Sequence, residues 1–277
     1  MKLLRSLLMM LILSCMNLSC GGNVLTSFGD RTTDDAILVD IKNYRNAGDY
    51  TSAISKFSEL SAAATALQEN QFLMANIYSE SCGLDFLSMT EVLASASSSR
   101  LFPLVMGEMA GSTATGVSHC IDAETIMYSM DSSFTLSAGE YLFMTFLGLA
   151  KIGAILNLNA DTDSDGSRDV GFDACDSVDF PDTYAQHVAT AFTLLQTGLV
   201  GMAASGDSSG ADAATIVSAA CTALGSLGPS FDFCGETDST NITGDKLKGV
   251  RSLVKEDNDI GIGDDGCSGD ITTCNCP

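Results

Sequence analysis

The residues best suited to chemistry form one run, Asp161-Thr162-Asp163-Ser164-Asp165-Gly166-Ser167-Arg168-Asp169. Carboxylates stand at its first, third, fifth and ninth places, and glycine at its sixth. Alternate side chains in a tight loop turn their oxygens toward one point. That suits Ca²⁺, a hard cation that takes roughly 6–8 oxygen ligands. Gly166 allows the sharp turn, and Ser167 is placed to offer its backbone carbonyl. With Asp173, five acids fall within 13 residues. Such neighbours repel one another unless a counter-ion joins them. The alternative reading is a solvated acidic loop between two helices.

The run departs from an EF-hand at its twelfth place, where Phe172 stands instead of Glu and Asp173 follows one place later. Continued through Asp173-Ala174-Cys175-Asp176, it also resembles the thrombospondin type 3 repeats, which run D-x-D-x-D-G-x-x-D and end near a cysteine. In that family the aspartates hold calcium and the cysteine is disulfide-bonded. The resemblance implies Asp161, Asp163, Asp165, Asp169 and Asp173 as side-chain ligands, in a loop that pins one helix to the next. The stretch Asp257 to Cys267 is similar in flavour but has Gly261-Ile262 where the fifth and sixth places call for Asp-Gly, and it reads as a disulfide-pinned loop, with a second cation site as the weaker alternative.

Other patterns fail on context. Gly206-Asp207-Ser208-Ser209-Gly210 fits G-x-S-x-G, but a nucleophile elbow needs a strand before it and a histidine after it. Here a helical pattern precedes it, and both histidines, His119 and His187, lie upstream. His119 adjoins Cys120, yet neighbours on a helix do not face each other. No nucleophile–base pair is legible, so a non-enzymatic protein is expected. Asn241-Ile242-Thr243 matches a glycosylation sequon, and no role is expected for it. Met74, Met89, Met106, Met109, Met127, Met130 and Met144 recur at core-like positions and read as core fillers, with an apolar ligand groove as the sharper alternative.

The compartment follows from the first residues. Lys2 and Arg5 precede the apolar run Leu7–Leu13, which is far shorter than the ~20 residues of a spanning helix and reads as a secretory signal. Leu18-Ser19-Cys20-Gly21 then resembles a bacterial lipobox, although Asn17 stands where that family usually has Leu. The resemblance implies cleavage before Cys20, acylation of Cys20 and anchoring in the cell envelope. Gly21 after the cysteine resembles sorting to the outer membrane. Cys15 is a second candidate for the lipid site. Several acyl chains on one residue give stable anchoring.

Eight further cysteines, Cys82, Cys120, Cys175, Cys221, Cys234, Cys267, Cys274 and Cys276, make an even set that suits disulfides in an oxidising compartment. Their pairing is open. Proximity favours Cys221 with Cys234, and one of the last three reaching back to the body. No paired C-x-x-C suggests zinc. Net charge is −22, and −24 without Lys2 and Arg5. Such a field repels nucleic acid and attracts cations.

These residues need helices to position them. Residues 1–19 are read as signal, 20–33 as lipidated tether, 34–256 as a helical domain and 257–277 as an irregular cysteine-rich tail. Ile37, Ile41 and Tyr44 share a helical face after Asp34-Asp35, and Tyr50, Ile54, Phe57, Leu60 and Leu67 mark a second face after Gly48. The spacing Tyr44, Gly48-Asp49-Tyr50, Ala53-Ile54, Phe57, Leu60 resembles the middle of a tetratricopeptide repeat (TPR). In such a repeat Ala53 is the close contact, and Tyr44 and Phe57 fill the space between the paired helices. Adding the 34-residue period lands on Ala75 and Tyr78, a degenerate second copy before Gly83, so the resemblance covers 34–97. It implies a concave surface for partner proteins of the envelope. Apolar pieces follow at Glu91–Ala96, Phe102–Ala110 and Ala123–Met130. Ser137 with Glu140 forms a capping box opening Tyr141–Leu156, apolar nearly all round and expected at the centre of the core. After the acidic loop, 157–180, Asp182 is expected to cap a helix over Tyr184–Met202, with further helices at Ala213–Leu224 and Lys246–Val254. No alternating strand pattern appears. The expected fold is all-α, an irregular helical array with TPR-like hairpins and an Asp-rich loop between central helices. The function expected is a scaffold, and the alternative is a helical carrier of an apolar small molecule accompanying a periplasmic transport system.

Overall fold

A computed structural model describes residues 32–95, 100–206, 211–258, 260–263, 267 and 269–277. The signal segment, Cys15, Cys20 and Ser208 lie outside the described residues. Among the described residues the fold is all-α, with eleven helices, 66% helical content and no strand.

The first four helices are α1 (Asp34–Asn46), α2 (Tyr50–Phe57), α3 (Ala62–Thr65) and α4 (Gln68–Cys82). Gly48 has φ +73°, a left-handed turn that sends α2 back along α1. Ile37, Ile41, Ala53 and Phe57 are buried together with Ile77 of α4 in a small core of their own. The second helical face does not run unbroken to Leu67. Ser58 Oγ donates to the Ser55 carbonyl at 2.7 Å, and the backbone becomes extended at Ser61. The Asp34 carboxylate then accepts the Ser61 N–H and O–H at 2.8 and 2.6 Å. This local competition for backbone groups ends α2 early. Leu67 consequently precedes α4 as an exposed residue, and Tyr44 also faces solvent rather than filling the hairpin.

Next come α5 (Phe86–Ser95), α6 (Leu101–Glu108) and α7 (Ala114–Ser133). The third is much longer than its apolar segment, because Thr113 caps it far upstream. Helix α8 (Ala138–Ala160) opens on the capping box: Glu140 N–H donates to Ser137 Oγ at 3.3 Å, and Ser137 N–H to the Glu140 carboxylate at 2.7 Å. It is the central element, packed by α9 (Asp182–Ala204), α6 and α7. Both α8 and α9 are long and apolar enough to cross a membrane, yet 83% and 67% of their most apolar windows are buried within the protein. Asp182 is the first residue of α9 rather than its cap. Pro181 takes the cap position, and the Asp182 carboxylate accepts from Arg251 at 2.7 Å. The chain ends with α10 (Ala211–Leu227), a 3₁₀ turn over Ser239–Asn241, α11 (Asp245–Lys255) and an irregular tail.

Four disulfides cross-link this array: Cys82–Cys120 between α4 and α7, Cys221–Cys234, Cys175–Cys276 and Cys267–Cys274. Met89, Met106, Met109, Met127, Met130 and Met144 are all buried in the main core.

Candidate functional site

The acidic loop begins where α8 stops. Asp161 ends the helix and is 0% exposed. Its carboxylate accepts the Asp165 N–H at 3.0 Å, the Gly166 N–H at 3.1 Å and the Asn157 side-chain amide at 3.0 Å. Burial raises its pKa above the usual carboxylate range. The three donors pull the other way, and the Asp165 charge adds to the rise. Gly166 at φ +84° makes the turn the spacing asks for. Ser164, at φ +58°, is held by the Gly111 N–H, which donates to its hydroxyl at 3.1 Å. The loop closes through Asp169, whose N–H donates to the Ala160 carbonyl at 2.7 Å. The Asp169 carboxylate accepts the Thr162 N–H and O–H at 3.0 and 2.6 Å.

This closure brings one carboxylate oxygen each from Asp161, Asp163 and Asp169 within 4.8 Å of one another. Asp161 is buried, Asp169 half-buried and Asp163 exposed, so the group has a sealed floor and an open side. The other expected ligands are placed differently. Asp165 is exposed and accepts the Ser167 N–H at 2.8 Å. Asp173 lies in the following turn and accepts the Cys175 N–H at 2.8 Å. Both carboxylates brace turns. Phe172, at the place of the EF-hand glutamate, is buried and stacks edge-on to Phe180 with centroids 6.2 Å apart. Apolar packing anchors the loop where an EF-hand would use a ligand. Three converging carboxylates with one open side suit a hard divalent cation, with water completing the shell.

Two polar groupings escape a reading of the sequence. Ser81 Oγ and His119 Nδ1 are 2.7 Å apart, beside the Tyr78 ring. Ser81 and His119 are separated by 38 residues, as are the neighbouring cysteines of Cys82–Cys120, so knowledge of that cystine would have placed them together. Ser81 lies in the last turn of α4, where the negative end of the helix opposes an oxyanion. The pair therefore clasps two helices and is poorly placed for acyl chemistry. The second grouping is sealed in the core. The fully buried Lys151 ammonium bonds the Glu124 carboxylate and Thr190 Oγ1, the latter at 2.9 Å.

A cleft of 360 Å³ opens to solvent between α2–α4 and α7. Phe57, Met74 and Ile126 supply its apolar lining, and Thr65, Gln71, Thr125 and Ser129 its polar lining.

Comparison with known protein families, with curated proteins and with solved structures finds no match for this chain.

Proposed function

We propose that this chain is an exported lipoprotein of the bacterial envelope, anchored at the outer membrane through acyl chains on Cys20. Its helical domain acts as a non-enzymatic scaffold that binds envelope proteins. The observation that carries this reading is the open cleft between the front hairpins and α7, whose lining mixes an aromatic ring, aliphatic groups and four polar side chains. A carrier of apolar molecules calls for a closed, dry cavity instead. The hairpin turn at Gly48 favours a TPR-like presentation of such a groove, although the break after Phe57 makes it an irregular one. Eight cysteines placed in four bonded pairs suit an oxidising compartment.

The test is a photo-crosslinking amino acid at Ser129, on the cleft rim, in living cells. A discrete adduct with an envelope protein is expected, and none from the same group at the exposed Val200 on α9. Equal adducts from both positions, or none from either, would sink the scaffold reading.

Calcium is the cofactor this reading includes, held by Asp161, Asp163 and Asp169 as a structural ion. Loops exposed outside the cell bind Ca²⁺ with Kd around 10⁻⁴–10⁻³ M. A tenfold excess over Kd then stabilises the fold by about 1.4 kcal/mol, or a Tm rise of roughly 3–5 °C for a domain of this size. The rise is expected to vanish in Asp163→Ala/Asp169→Ala. A wild-type melting curve that ignores millimolar Ca²⁺ removes the ion from the proposal.

A further inference from the structure

Three polar groups of the α4/α7 cleft can accept a hydrogen bond. Thr65 Oγ1 spends its proton on the Ala62 carbonyl at 3.1 Å, and Thr125 Oγ1 on the Ile121 carbonyl at 2.9 Å. Each hydroxyl oxygen keeps lone pairs with which to accept. Gln71 Oε1 is buried and has no hydrogen-bond donor. A buried acceptor without a partner costs free energy that an arriving donor would recover. Between these acceptors the surface is apolar, formed by Phe57, Met74 and Ile126. Asp122 lies one turn along α7 from Thr125 and Ile126, and Lys56 beside Phe57 is tied to Glu59 at 2.7 Å.

We infer that this cleft seats a lysine side chain from an apolar segment of a partner protein. The inference rests on reading the cleft as an interaction surface, and adds the chemistry recognised there. An alkyl stem can cross the apolar floor while its ammonium, with three donors, meets acceptors that lack them. Lysine fits better than arginine. The lining holds no carboxylate for a planar fork, and a compact charge on a flexible stem suits scattered single acceptors. The net charge of −22 favours the encounter with a cationic partner.

The probe is the peptide acetyl-Gly-Leu-Lys-Leu-Gly-amide titrated into the full chain by calorimetry. Two companions carry norleucine or glutamate at the central position. The lysine peptide is expected to bind about tenfold more tightly than the norleucine peptide, one charge-assisted hydrogen bond's worth. The glutamate peptide is expected not to bind. Gln71→Leu should bring the lysine and norleucine peptides to similar affinity, and its removal of an unpaired acceptor should leave folding intact. Ser129→Trp, at an exposed rim position, should block both peptides. Equal affinities in the wild type, or lysine binding untouched by both substitutions, would overturn the inference and point to diffuse attraction by the acidic surface. No lysine preference together with adducts at Ser129 defeats this inference alone. No lysine preference and no adducts defeat the scaffold reading as well.

Discussion

Lys151 sits in the middle of the central helix α8, and Glu124 on α7 keeps it there. Burial pushes the Glu124 carboxyl up and the Lys151 ammonium down, and each partner's charge opposes the other's shift. Glu124→Gln would leave a buried ammonium without its counter-charge. The expected loss is about 3–5 kcal/mol, read from the urea midpoint. Replacing both, Lys151→Met with Glu124→Leu, should cost little or even stabilise. A double variant as unstable as the single one would show that shape, not charge, is the cause. His187 responds to the same surroundings. Burial, then the Lys151 charge, pushes its pKa from 6.5 down to about 4. The unfolded chain therefore takes up a proton that the fold refuses. Stability is full above pH ~6.5 and falls as pH drops toward ~4. His187→Leu should flatten that part of the urea-midpoint profile, and an unchanged slope would assign the acid sensitivity elsewhere. Read as sequence, Lys151 argues only against a membrane span. Its partner lies 27 residues away on another helix, and the rotation of α7 against α8 is not written in either helix's own pattern.

Glycines decide how closely the central helices meet. A Cβ at Gly148 would lie 2.7 Å from the Ala191 carbonyl, and one at Gly153 would lie 2.3 Å from the Val105 carbonyl. Both obstacles are backbone, so α9 or α6 would have to move away. Gly153→Ala is expected to cost roughly 1–3 kcal/mol by overpacking. Gly225 on α10 has nothing within 4 Å of its would-be Cβ. There the same change should stabilise by up to ~1 kcal/mol through helix propensity. Thermal unfolding of the two variants checks the contrast, and melting points shifted in the same direction would count against it. The glycines are visible in the sequence, but which of them meets a neighbouring backbone is a property of the packed pair. The start of α8 is different. Ser137 and Glu140 satisfy each other's backbone groups within one turn, so that boundary was legible. The break between α2 and α3 was not, because Asp34, which accepts from Ser61, is 27 residues away.

At the scale of the molecule, the tail and the acidic loop form one unit. Arg251 of α11 donates to the Ala174 carbonyl at 2.7 Å, the Phe180 carbonyl at 2.6 Å and the Asp182 carboxylate at 2.7 Å. Its guanidinium also stands over the Phe180 ring, 5.6 Å from the centroid. Cys175–Cys276 closes the same unit across 101 residues of sequence. Cys175→Ser/Cys276→Ser is expected to cost roughly 2–5 kcal/mol, measured as a fall in urea midpoint. A midpoint equal to wild type would mean Arg251 alone holds the tail. Composition, helical periodicity and local caps determined by themselves that this chain is all-α, that α8 is central and that carboxylates gather at one loop, because each of these follows from residues within a turn or two of one another. Only the tertiary structure decided which three aspartates converge, which cysteines pair, where Lys151 finds its counter-charge and that a cleft opens beside α7. Those outcomes depend on how distant helices are rotated and spaced, and that geometry is set by the whole core at once.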